Sequence, residues 1–202
     1  MTTPNAPAPA PAPAPTAQRA RPINESPDLA TLATALLRTP TALAELTSAE
    51  ARCVVDHMRV VGFAAGATIL REGDRANTNY MLLVLTGEVA VEKAETTPNE
   101  PISVSVLGPG NVIGEMGLLD GAPRSMTCRA ATPVQAAGLA RDALQTLIDE
   151  NPKVGAKLMI AISQRMAERL RAAVDQLLFY SQLTATMHAE LEALKSARRG
   201  GR

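Results

Sequence analysis

Apolar residues recur along this chain with two different spacings, and the spacing changes twice. From residue 27 to 62 the period is helical. Leu29, Leu32, Leu36 and Leu37 share one face of a helix that Asp28 can cap and Pro40 stops. Thr47 or Ser48 caps a second helix that turns Cys53, Val54, Val55 and Met58 inward. From Phe63 the pattern shortens into strands punctuated by glycine. Ala67 to Leu70 is one, closed by Glu72-Gly73-Asp74, and Tyr80 to Leu85 is a continuous apolar run before Gly87. Glu88 to Glu92 and Ile102 to Val106 alternate in and out; Val112-Ile113, Ser125 to Ala130 and Val134 to Leu139 complete the set. Many short strands with glycine turns predict a sandwich or a jelly roll.

After Leu139 the helical spacing returns. Arg141 to Asp149 makes a short helix, and Asn151-Pro152 opens a long one with a capping residue followed by proline. From Ser163 a seven-residue repeat is legible. One row holds Ser163, Leu170, Leu177, Thr184 and Leu191, and the other Met166, Ala173, Tyr180, Met187 and Leu194. Such a seam suits two helices packed along their length, so a homodimer is expected. Weaker helix formers between Phe179 and Thr186 make a break there conceivable.

The N-terminal stretch has no apolar period. Ala6 to Pro15 alternates alanine and proline, which removes a backbone donor at every second residue and favours an extended chain. Residues 1–26 are therefore expected to form a disordered arm, 27–150 a β domain with flanking helices, and 151–202 a long helix with a basic tail. That tail holds Lys195, Arg198, Arg199 and Arg202 and reads as a solvated helix end.

Composition narrows the function. Aromatic residues make up 2% of the chain and tryptophan is absent, so a base-stacking platform for single strands is not expected. Twenty basic residues balance twenty acidic ones, which removes any global field toward DNA. Cys53 and Cys128 make no disulfide framework, and His57 and His188 lack metal-ligand spacing, so no metal site is expected. With no membrane-length apolar run and no signal-peptide pattern, the expected location is the cytoplasm.

The chemistry concentrates between Leu107 and Ala130. Gly114 ends a strand, and Glu115 to Leu119 can form one or two helical turns whose first N–H groups favour an anion. Arg124, just past the turn at Asp120-Gly121, can fold back as a two-pronged donor. Glu115 is an acceptor beside that anion, which makes sense if it grips a hydroxyl of the same ligand. An anion, an arginine and a hydroxyl acceptor together describe a sugar phosphate.

This stretch resembles the phosphate-binding cassette of cyclic-nucleotide-binding domains, the family of the catabolite activator protein and the regulatory subunit of cyclic-AMP-dependent protein kinase. Gly66-Ala-Thr-Ile-Leu-Arg-Glu-Gly-Asp and Tyr80-Met-Leu-Leu-Val-Leu-Thr-Gly-Glu-Val match as well. The resemblance covers about residues 40 to 180. It implies an α+β fold, a jelly-roll-type β-roll flanked by N-terminal helices and a long C-terminal helix. Gly114 and Glu115 would then hold the ribose hydroxyl, Arg124 and Ser125 the cyclic phosphate, and Met116 and Gly117 the helix backbone around it.

Three departures qualify this. Met126 stands where the family usually has alanine, and either narrows the pocket or fills core. Ala173-Val174 occupies the place of a polar pair that reads adenine in the catabolite activator protein, leaving Arg169 and Gln176 as candidate base contacts. About 22 residues follow Tyr180, too few for a helix-turn-helix domain, so direct DNA binding is not expected. The expected function is a stand-alone receptor for cAMP or cGMP that signals to an effector protein through a dimeric long helix. It is not expected to be an enzyme or a membrane protein. The rival expectations are a ligand-free dimeric interaction module with a degenerate cassette and a transcription-related regulator.

Overall fold

The computed structural model describes residues 19–43, 45–93 and 102–200. The chain divides into two compact units, Met1–Leu158 and Met159–Arg202. The first begins earlier than the sequence pattern suggests. A two-residue strand β1 (Arg21–Pro22) and a 3-10 turn (Ile23–Glu25) lie within the stretch expected to be disordered. Ile23 is fully buried, worth about 1.5–3 kcal/mol, and its N–H donates to Met58 O at 3.1 Å. The arm expectation is thus corrected for residues 21–25; the Ala-Pro repeat itself lies outside the described residues.

Two helices follow. In α1 (Pro27–Leu37) proline opens the first turn and Ser26 takes the N-cap place expected of Asp28, without a side-chain cap bond. α2 (Ser48–Asp56) begins on a full capping box, with Thr47 Oγ1 accepting from the Glu50 N–H and Glu50 accepting from the Thr47 N–H. Val54 and Val55 face inward as the period requires, and Met58 is buried just past the helix; Cys53 is only half-buried, and Ala51 is buried instead.

The next element was hidden. Residues 59–62, read as the end of a helical region, form β2 (Arg59–Phe63) instead. This strand pairs antiparallel with β9 (Val134–Ala140), from Arg59↔Gly138 to Phe63↔Val134. The pairing partner is some seventy residues away, so no local period announces it. The remaining strands fall where the pattern put them: β3 (Thr68–Leu70), β4 (Tyr80–Thr86), β5 (Val89–Lys93), β6 (Ile102–Leu107), β7 (Val112–Ile113) and β8 (Thr127–Ala130).

Two antiparallel sheets result, ordered β1-β2-β9-β4-β7 and β3-β8-β5-β6. Leu82, Val84, Val89, Val91, Cys128, Ala130, Val134 and Ala136 form one buried cluster drawn from both. Met81, Leu83 and Leu85 on the opposite face of β4 are also buried, and α1 contacts that strand. Burial on both faces explains why β4 reads as an unbroken apolar run where β5 alternates.

The strands give way to α4 (Arg141–Glu150) and then α5 (Pro152–Gly200), which runs without a break through residues 179–186. Gly155 lets the first turns of α5 close on α4: a Cβ there would lie 2.6 Å from Ile148 Cγ1. A second tie joins α5 to α2, with Lys157 Nζ 2.6 Å from Glu50 Oε1.

Glu50 therefore works twice, and its carboxyl is lowered from 4.5 to about 2, first by the hydrogen bond from Lys157 and then by that from the Thr47 N–H. Its folded value lies below its unfolded one, so the stabilisation is complete above about pH 4.5 and disappears as pH falls toward 2. Glu50→Gln keeps the capping box but not the charge. Urea unfolding of both proteins should show a gap in midpoint at pH 6 that narrows between pH 4.5 and 2. A gap independent of pH would show that the ion pair contributes nothing.

Candidate ligand-binding site

The cassette is built around one side chain. Arg124 lies between α3 (Glu115–Asp120) and β8 and is only 5% exposed. Its Nη1 donates to Gly114 O at 2.7 Å, its Nη2 to Tyr80 O at 2.9 Å and its Nε to Asn77 O at 3.0 Å. The guanidinium carbon sits 4.7 Å from the centre of the Tyr80 ring, a cation–π contact. Burial pushes the Tyr80 hydroxyl up, and the charge of Arg124 opposes that in part.

The backbone of Arg124 is tied to the same region. Its N–H donates to Asp74 O at 3.0 Å, and its carbonyl accepts from the Gly73 N–H at 2.8 Å. Asp74 in turn accepts from the Ala76 N–H and from Asn77 Nδ2, contacts that hold its carboxyl below the usual range. The loop between β3 and β4 is thus folded about Arg124.

Two glycines make the approach possible. Gly114 ends β7 and caps α3 at φ +78°, and a Cβ there would lie 2.6 Å from Arg124 Nη1. At Gly117 a Cβ would meet Thr78 O at 2.9 Å and Arg124 Nη1 at 3.0 Å. Neither position tolerates a side chain while the guanidinium stays where it is.

The cassette residues anticipated from sequence come together in the first unit. Glu115 is 5% exposed, while Met116 projects outward at 45%. Ser125 is exposed, with Oγ 3.9 Å from Met116 Sδ, and Met126 packs partly buried against the core cluster, the second of its two expected roles. Arg169 and Gln176 stand exposed on α5 in the second unit.

Three neighbours escaped sequence reasoning. Tyr80 supplies both a carbonyl and a ring to Arg124. Lys93 Nζ donates to Ser125 O at 3.0 Å and lies 2.5 Å from Glu72 Oε1. Arg141 Nη2 donates to Gly117 O at 3.0 Å, tying the start of α4 to the cassette helix. Only Tyr80 left a trace, as one of two tyrosines in the chain and at the head of its most apolar strand.

Comparison with known proteins agrees with this geometry. The family model described as "Cyclic nucleotide-binding domain" matches residues 60–151, which include the whole cassette. A solved cyclic nucleotide-binding domain from Methylobacillus flagellatus is 32% identical, with 75% of this chain and 83% of that one covered at a TM-score of 0.66. This chain belongs to the cyclic nucleotide-binding domain family. The catabolite activator protein of Thermus thermophilus is similar at 25% identity and a TM-score of 0.61, over 72% of this chain and 63% of that one. A regulator of Mycobacterium tuberculosis named as CRP-like and cAMP-activated is 26% identical over 127 residues, or 63% of this chain. The chain spans about half the length of that curated relative, 52% of it. The α+β jelly-roll fold expected of this family is the fold observed.

The two cassette costs at Gly114 can be separated. Gly66 has nearly the same φ, +80°, and a Cβ added there would meet nothing within 4 Å. Gly66→Ala should lose about 1–2 kcal/mol for the left-handed backbone alone. Gly114→Ala should lose more, because Arg124 must also move. Equal losses in chemical denaturation would show that the close approach of Nη1 costs nothing.

Proposed function

We propose that this cyclic nucleotide-binding domain is a receptor for cAMP or cGMP, a binding and relay module and not an enzyme. The observation that carries the reading is the buried Arg124, fixed by three neutral carbonyls at the mouth of the cassette helix. A guanidinium has five N–H groups, so three carbonyls do not exhaust it. The Asp74 carboxylate attracts this cation through space, and a phosphate would add a counter-charge bonded directly to it in bidentate form.

In this proposal Arg124 and Ser125 take the cyclic phosphate, and Gly114 with Glu115 takes the ribose hydroxyl. The backbone at Met116 and Gly117 lines the phosphate side, and Met126 backs the pocket from the core. Arg169 and Gln176 remain the proposed readers of the base. The name of the Mycobacterium tuberculosis regulator favours cAMP. We assign 27–150, extended back to Arg21, as the binding domain and 151–202 as lid and dimerisation helix, with a cytoplasmic location and an effector protein as the recipient of the signal.

A homodimer through α5 completes the proposal. Leu170, Leu177, Tyr180 and Met187 of the heptad rows are each 57% exposed or more. The apolar surface is wider than those rows: Leu178, Phe179 and Leu183 are exposed too. Phe179 lies two residues beyond Leu177, about 200° around the helix, so this segment is apolar on nearly every side. The similarity to a transcriptional regulator keeps a regulatory role in transcription as the second reading.

Two experiments test these parts separately. Arg124→Gln removes the charge and the fork yet leaves an amide for one carbonyl. Calorimetric titration with cAMP and cGMP should show affinity about ten- to hundredfold weaker than wild type, the loss of a charge-assisted bond. Unchanged affinity would take Arg124 out of the site. For the dimer, Leu170→Asp with Leu177→Asp places carboxylates in the seam, and light scattering should report a monomer. A dimer that survives both changes forms elsewhere.

A further inference from the structure

We propose that Tyr80 is a positioning residue for the phosphate-binding arginine, its ring face setting the plane in which the Arg124 guanidinium is presented. This rests on the cyclic-nucleotide reading above and extends it to a side chain outside the cassette.

The three carbonyls of Asn77, Gly114 and Tyr80 grip the edge of the guanidinium. Those three contacts define the plane, but hydrogen bonds bend through tens of degrees at small cost, so they resist tilting only softly. A flat surface against its face adds to that resistance. The Tyr80 ring is such a surface, 4.7 Å from the guanidinium carbon, and its π face attracts a cation more strongly where water is excluded. Arg124 is 5% exposed, so the contact works in that regime.

The ring is itself held. Tyr80 heads β4 opposite Ala140 of β9, and the five residues after it, Met81 to Leu85, are all buried. Its side chain packs against the core cluster, and beside Val61, Phe63 and Leu82 it lines a cavity of about 310 Å³. The buried strand and the contact with the core cluster anchor the ring on one side, while its other side borders the cavity.

Tyr80 therefore reaches Arg124 through its backbone carbonyl and, separably, through its side chain, whose ring and hydroxyl both interact with the guanidinium. Its carbonyl belongs to the backbone and survives substitution. Its ring does not. Changing the side chain thus isolates the side-chain contacts while all three hydrogen bonds to carbonyls remain possible. A bidentate grip on a phosphate depends on the fork lying in the plane of two oxygens, so a rocking guanidinium binds with lower affinity though its charge is unchanged.

The test is a set of calorimetric titrations with whichever of cAMP and cGMP binds the wild-type protein. Tyr80→Phe keeps the ring and should bind within twofold of wild type. Tyr80→Leu should bind about five- to thirtyfold more weakly, and Tyr80→Met, which fills the space without a ring, should do the same. Because Leu enlarges a cavity, the deciding comparison is made in the Arg124→Gln background. If Tyr80 acts through Arg124, adding Tyr80→Met there should cost less than twofold. The same loss in both backgrounds would assign Tyr80 to the fold alone and overturn the inference. So would wild-type affinity in Tyr80→Met. A wild-type protein that binds neither nucleotide would overturn the functional reading first, and this inference with it.

Discussion

The buried guanidinium of Arg124 is the constraint on which the rest of the site depends. Removing such a charge from water costs several kcal/mol even after relaxation, so its surroundings must be arranged to compensate. They are. Asn77, Gly114 and Tyr80 turn their carbonyls to it, and Tyr80 adds the face of its ring. The loop from Gly73 to Asn77 bonds to its backbone and to its own Asp74, so the loop and the arginine define each other. Gly114 and Gly117 are then required by space, since a Cβ at either would sit 3.0 Å or less from Nη1.

The fold supplies this arrangement from distant parts of the chain. β4 brings Tyr80 into place and is buried on both faces, which fixes it more firmly than an edge strand. β7 delivers Gly114 beside it through the Leu82↔Ile113 pairing. Arg141, the first residue of α4, reaches Gly117 and also donates its N–H to Asn79 O at 2.7 Å. The start of α4 is thus bonded both to the cassette helix and to the loop that meets Arg124. On the other side, Lys157 ties the first turns of α5 to Glu50 in the capping box of α2. The cassette helix and the start of α4 are therefore tied through the side chain of Arg141.

Much of this was legible in the residues. The alternation in β5 and the unbroken run in β4 each announced a strand, because side-chain burial follows the backbone period locally. The glycines, Glu115 and Arg124 pointed to a sugar phosphate, and the resemblance of the whole stretch to a known family marked it as a cassette. What escaped depended on distant partners. β2 is a strand because β9 pairs with it, and Val60-Val61 is too short a signal after His57 to outweigh a helical period. Ile23 is buried where its turn meets α1 and α2, which nothing in a proline-rich arm foretells. Tyr80 and Arg141 join the site through tertiary contacts to carbonyls, and a carbonyl leaves no mark on sequence. The heptad rows on α5 captured Leu170 and Leu177 but missed the apolar breadth at Leu178, Phe179 and Leu183, because those residues lie outside the two rows, on the flanks and back of the helix.

The central claim is that the cassette centred on Arg124 seats the phosphate of a cyclic nucleotide. Phosphorus NMR of cAMP, and then of cGMP, with the wild-type protein in molar excess observes that atom directly. The account predicts that for at least one of the two the free-ligand resonance is replaced by a shifted, broadened one as the protein takes up the phosphate. A resonance that keeps its free position and width for both nucleotides would contradict it.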